Sequence, residues 1–144
     1  MKREIKFRAW HPLQKVMYFN HSVSVSIDGT VHYLDTDGEW NCDIKGNGED
    51  VGIVLMQYTG LKDKNGKEIF DGDITCNFDS DRSPYFFHEV VFENGCFGYY
   101  TKESGFHSFA SNGYFGWVGG QSNEIEVIGN IYENPELLNK NNEQ

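Results

Sequence analysis

At 144 residues and 16.5 kDa, with 38% hydrophobic and 15% aromatic residues, the chain has the size and apolar content of one ordinary domain or two small ones, and it is not a disordered polypeptide. Twelve Lys and Arg against 22 Asp and Glu leave a formal net charge of −10, so the surface as a whole repels a phosphate backbone and a generic nucleic-acid coat is excluded. The longest apolar run, residues 52–56, is far shorter than the roughly 18 residues a membrane span needs.

In chain order, residues 4–10 alternate, with Ile5, Phe7 and Ala9 on one face and Lys6, Arg8 and Trp10 on the other. That period of two predicts a strand, ended by His11-Pro12 because Pro supplies no N–H to a ladder. Residues 16–19, 23–27 and 30–34 are further short strand candidates, the last two joined by Asp28-Gly29, a hairpin signal. Residues 35–50 carry six acidic residues and three glycines with little periodicity and read as a loop. Residues 51–58 are apolar and β-branched, and Asn65-Gly66 and Asp71-Gly72 mark turns on either side of Ile69. Residues 74–78, 85–92 and 95–101 read as strands, the last two joined around Glu93-Asn94-Gly95; aromatics crowd residues 97–117; and residues 124–132 alternate again. A short helix is expected next, with Asn134 as cap, Pro135 in its first position and Glu136 at its positive end. Many short strands with turn chemistry between them predict an all-β barrel or sandwich with one short C-terminal helix.

No linear motif carries chemistry. The Asp-rich turns at Asp35/Asp37/Glu39, Asp63/Asn65, Asp71/Asp73 and Asp79/Asp81 do not combine the sixth-position Gly and twelfth-position acid of an EF-hand loop, and solvated turns explain them. The five histidines fall outside HExxH and deaminase patterns, although His88, Cys96 and His107 could meet in space. There is no GxSxG elbow, and residues 113–120, GYFGWVGG, lack the Lys and Ser or Thr of a phosphate-binding loop. Neither a metal nor a cofactor is expected. Cys42, Cys76 and Cys96 form no CxxC pair and fit a reducing compartment, and MKREIKFRAW lacks the apolar stretch of a signal peptide. Charge is unevenly placed: residues 1–15 carry about +4 and the remainder about −14, a polarity suited to a nucleic-acid contact or to an acidic surface of a second copy.

Three blocks, KFRAW at residues 6–10, LMQYTGLKDKNGKEIFDGDI at 55–74 and IGNIYENPELL at 128–138, together resemble the YopX family of phage and prophage proteins. Their order and spacing cover nearly the whole chain; His11, Phe70 and Asp71 are minor departures, and residues 79–123 match only loosely. The resemblance implies a β-rich fold whose C-terminal part is an SH3-type barrel, and a phage or prophage gene. It implies no activity, and no functional residue is transferred. The glycines of the matched blocks, Gly60, Gly66 and Gly72, are expected at turns.

The expected organisation is an N-terminal β segment over residues 1–57 containing the acidic Gly-rich loop at 35–50, an SH3-type barrel with its short helix over 58–138, and a frayed tail at 139–144. The expected function is that of a non-enzymatic accessory protein in the cytoplasm of the bacterial host. It would bind another protein, a second copy of itself included, and no membrane. Lys6, Arg8, Trp10, Tyr58, Phe70 and Trp117 are the candidate partner-binding residues, the first three from the basic first strand and the last three because barrels of this type offer aromatic grooves. The alternatives are a nucleic-acid module that docks through Lys6 and Arg8 with Trp10 stacking, and an acidic DNA mimic acting on a host DNA-binding protein.

Overall fold

Short alternating runs punctuated by turn residues become antiparallel strands throughout the computed structural model, which describes residues 4–42, 52–101, 104–110 and 120–142. The chain divides into two units, Lys2–Gln57 and Tyr58–Gln144. Among the described residues no helix is long and apolar enough to cross a membrane.

The first unit holds strands β1 (Phe7–His11), β2 (Val16–Phe19), β3 (Val23–Val25), β4 (Val31–Leu34) and β5 (Trp40–Cys42), and the start of β6 (Val54–Lys62). Strand β1 is central, with Ala9 opposite Tyr18 of β2 on one side and Leu55 of β6 on the other. It runs through His11 because a residue before Pro is held extended. Strands β3, β4 and β5 form a second antiparallel sheet. The expected loop at 35–50 is thus partly wrong: Trp40–Cys42 pairs with β4, while residues 43–50 lie outside the described residues. Buried polar groups here are partnered. The Gln14 N–H donates to His11 Nδ1 (3.2 Å), so in the neutral ring Nε2 carries the proton and faces Tyr33 Oη at 3.3 Å, while Tyr18 Oη donates to Gln14 Oε1 at 2.7 Å.

The second unit holds the end of β6, then β7 (Glu68–Phe70), β8 (Asp73–Phe78), β9 (Pro84–Glu93), β10 (Cys96–Thr101), β11 (Gly105–Ser108) and β12 (Ile125–Asn130). Five of these make one sheet in the order β11-β10-β9-β8-β12. One core cluster collects Ile69, Val90, Tyr99, Phe109, Ile125 and Val127; a second collects Ile74, Cys76 and Phe87, against which Ile128, Ile131, Leu137 and Leu138 pack. Each fully buried Ile contributes on the order of 2 kcal/mol by leaving water. The chain after β12 is a 3-10 helix, Pro135–Asn142, rather than the expected helix capped by Asn134. The Asn134 side-chain oxygen instead accepts the Asn130 N–H at 3.3 Å, and the Leu137 N–H reaches back only three residues, to Asn134 O.

Four connections repeat one turn. In each of residues 26–30, 35–39, 63–67 and 79–83, the first residue's N–H donates to the fifth residue's carbonyl, and the fourth residue's N–H donates back to the first's. The fourth position takes positive φ: Gly29 (86°), Gly38 (83°), Gly66 (81°) and Arg82 (60°). Where the first residue is Asp, its Oδ1 also accepts the N–H groups two and four residues on, as Asp35 does from Asp37 and Glu39, Asp63 from Asn65 and Lys67, and Asp79 from Asp81 and Ser83. Gly60 differs from the expected turn, since it lies within β6 at a bulge, φ 87°, where the register to β7 shifts between Tyr58 and Lys62.

Asp63 goes further than its counterparts. Its side chain is 0% exposed, and its Oδ2 accepts the Val127 N–H at 2.9 Å from β12, 64 residues away. Around this bond the Lys64 N–H donates to Ile125 O (3.0 Å). Asp63→Ala would strip three N–H donors, the Val127 one buried, of a charged acceptor. The expected loss is about 3 kcal/mol or more, read from the urea midpoint, with Asp63→Asn in between because its amide can accept at one end only. At Arg82, the non-Gly residue in the shared positive-φ position, Arg82→Gly is expected to raise stability by up to about 1 kcal/mol in the same assay.

Candidate functional site

Four of the six candidate partner-binding residues are core. Arg8 and Trp10 are each 5% exposed, and Tyr58 and Phe70 are 4% and 6%. The physical reason is strand position: Arg8 and Trp10 lie on β1, paired on both sides, with Arg8 opposite both Phe19 and Met56, and Arg8 Nε donates to Met56 Sδ at 3.4 Å. Tyr58 and Phe70 face each other across β6 and β7, ring centroids 5.7 Å apart. Lys6 is half-buried and paired with Glu4 at 2.8 Å. Trp117, with Lys2 and Arg3, lies outside the described residues. The basic strand expected to confront a partner therefore places its Arg inside and balances Lys6 locally.

What the first unit does present is the outer face of its β3–β4–β5 sheet. Directly opposed residues share a face, so the pairs Ser24/His32, His32/Cys42 and Leu34/Trp40 lie together, while Val25, Val31 and Tyr33 take the other side. Val31 and Tyr33 are buried and Trp40 is 55% exposed. A shallow hollow of about 290 Å³ opens here, lined by Ser24, Ser26, His32 and Trp40. Ser26 Oγ lies 2.8 Å from His32 Nε2. Carboxylates stand at both ends of β4. Hydrogen bonding from Thr30 holds the Asp28 carboxyl below its ordinary range, helped least by His32, and bonding from the Glu39 N–H does the same for Asp35. The polar alternation of Ser24 and Ser26 with Val23 and Val25 was visible in sequence; Trp40 was not, because it sits in a segment dominated by turn residues.

In the second unit, Tyr99 stands between two imidazoles. His88 meets its ring edge-on at 4.7 Å, and His107, its partner across β10 and β11, stacks on it at 5.0 Å. Gly98 allows this approach, since a Cβ there would collide with His107 O and the Phe106 ring. His107 Nε2 lies 2.6 Å from Ser104 Oγ, which lies 2.7 Å from Thr101 Oγ1. Two of the three residues expected to meet in space thus do so through Tyr99. Cys96 does not join them: its thiol lies at the β9–β10 turn, directed at Glu93 O. Among the described residues no three His, Cys, Asp or Glu converge as metal ligands. A third feature was missed in sequence: Phe86 and Phe92, 50% and 57% exposed, lie on the same face of β9, and Phe92 meets Phe97 edge-on at 4.8 Å. Their periodicity is that of core residues, and only burial separates the two.

The family model described as YopX protein matches residues 6–139. Among solved structures, protein EF1440 from Enterococcus faecalis is 30% identical, with 95% of this chain and 99% of that one covered at a TM-score of 0.61. The yopX protein from Bacillus subtilis is 25% identical, with 92% and 97% covered at a TM-score of 0.56. No curated protein matches the chain.

Burial, with a smaller contribution from His107, lowers the His88 pKa from 6.5 to about 4. The folded protein keeps this ring neutral while the unfolded chain protonates it, so the unfolded state binds more protons across that interval. Stability is expected to be full above about pH 6.5 and to fall by about 3 kcal/mol as pH drops to about 4. Urea unfolding at the two ends of the interval measures this, and His88→Gln should flatten the dependence.

Proposed function

We propose, starting from the fact that this chain belongs to the YopX family, that it is a non-enzymatic binding module whose partner is a protein, a second copy included. The observation that carries this reading is Phe86 and Phe92, half-exposed aromatics at the two ends of a β9 face whose middle residues, His88 and Val90, are buried, with Phe97 beside the second. Half-exposed aromatic side chains are among the residues enriched in protein interfaces. The reading also takes the Tyr58–Gln144 unit as an SH3-type barrel; its five-stranded antiparallel sheet and terminal 3-10 helix support that assignment. A bacterial cytoplasm, with a phage or prophage gene, belongs to the same proposal and is supported by the three free thiols.

A nucleic-acid role for β1 draws little from its side chains, since Arg8 is buried and Lys6 is paired. A DNA mimic draws equally little from Asp63 and Asp73, which are buried, or from Glu126, which pairs with Lys64 at 2.9 Å.

Affinity capture from a lysate of the bacterium that carries the gene, with and without nuclease, tests the proposal when wild type is compared with a Phe86→Ser, Phe92→Ser double variant. The expected result is a nuclease-resistant protein captured by wild type and lost in the variant. Identical capture by both, or capture abolished by nuclease, overturns it. Self-association through this face would be apolar, so the mass measured by light scattering should hold as salt rises.

A further inference from the structure

We propose that the hollow on the β3–β4–β5 sheet binds an uncharged saccharide, one sugar ring stacking on Trp40 with its hydroxyls on Ser24, Ser26 and His32. This goes beyond the protein-binding reading and uses a different surface. Trp40, more than half exposed, forms one wall, and an indole face is the surface that the C–H face of a sugar ring covers. Among the described residues the Ser24 side chain makes no hydrogen bond, and the His32 ring makes one, from Nε2 to Ser26. The Ser24 hydroxyl, the His32 Nδ1 position and the remaining capacity of Ser26 are therefore available within one hollow. Hydroxyls and a neutral imidazole both donate and accept, which suits a ligand made of hydroxyl groups.

The charge pattern narrows the class. Among the described residues none that lines the hollow is a carboxylate, Lys or Arg, so none of them selects a charged ligand. Asp28 at one end of β4, and Asp35, Asp37 and Glu39 at the other, would repel phosphates and acidic sugars. A guanidinium could stack on Trp40, but it would find hydroxyls instead of a carboxylate fork.

Ser26 and His32 have the separation of a nucleophile and its base, and binding a sugar uses only their capacity to donate and accept hydrogen bonds.

The test is titration of the ¹⁵N-labelled full chain with cellobiose, maltose and diacetylchitobiose, following the Trp40 indole N–H by NMR. Uridine monophosphate and N-acetylarginine amide serve as anionic and cationic comparisons. We expect at least one of the sugars to shift that signal saturably with a Kd of about 1 mM, as one stacked ring with a few solvent-exposed hydrogen bonds should. The backbone shifts at Ser24 and His32 should follow the same curve. Trp40→Ala and Ser24→Val should each weaken binding at least about tenfold, while Phe92→Ala leaves it unchanged. Because both substituted side chains face solvent, retained spectral dispersion will establish that the variants fold. No saturable shift with any of the three sugars, equal shifts in Trp40→Ala, or tighter binding of either charged probe would overturn the proposal.

Discussion

A carboxylate held out of water by three backbone N–H groups is the constraint on which the second unit depends. Asp63 closes its own turn through Asn65 and Lys67 and seizes β12 through Val127, so one side chain joins a local hairpin to a strand 64 residues later. Burying a charge is expensive unless it is fully hydrogen-bonded, and here the cost is offset only if β6, β7 and β12 are all in place. The same segment then turns again at Gly72, whose N–H donates to Val90 O and whose carbonyl accepts Ile131 N–H. Asp73 Oδ2 accepts the Phe70 N–H at 2.8 Å. Residues 63–73 thus act as a hub: their polar atoms address β9, β12 and the chain beyond it, and Ile69 fills the core between them.

Acidity acquires a meaning in this light that net charge alone lacks. Asp35, Asp63 and Asp79 each open the same five-residue turn, and Asp28 caps a fourth. Four of the 22 acidic residues therefore serve as acceptors for turn N–H groups, local devices that hold short strands in register. The apparent polarity between a basic beginning and an acidic remainder is correspondingly weaker on the molecule than along the chain. Arg8 is buried, Lys6 meets Glu4, and Glu126 meets Lys64.

The strands were legible wherever alternation coincided with strong turn residues, as at Asp28-Gly29 and Asn94-Gly95. Asn94 and Gly95, both at positive φ, build the tight β9–β10 connection. Strand β5 was hidden because a three-residue strand beside Asp-Thr-Asp-Gly-Glu shows no period. The terminal helix was misread because Asn134 and Pro135 satisfy the local rules for a cap, while the Asn134 oxygen is claimed by Asn130 of the preceding strand. The candidate site was hardly legible: Trp10, Tyr58 and Phe70 are aromatics of the same kind as Trp40, Phe86 and Phe92, and one group is inside while the other is out.

The amino-acid order by itself determined the all-β class, most of the strands and the turns between them, because these rest on side-chain period and on backbone freedom at Gly and Asn, both local properties. It also carried the family in three blocks, whose residues prove to be turn formers, core and backbone acceptors. Which aromatics face water, where Asp63 sends its second oxygen and which His meets which Tyr were decided only by the tertiary structure. Burial and long-range hydrogen bonds depend on what lies on the far side of each strand, and a single strand's alternation is the same whichever face the core takes.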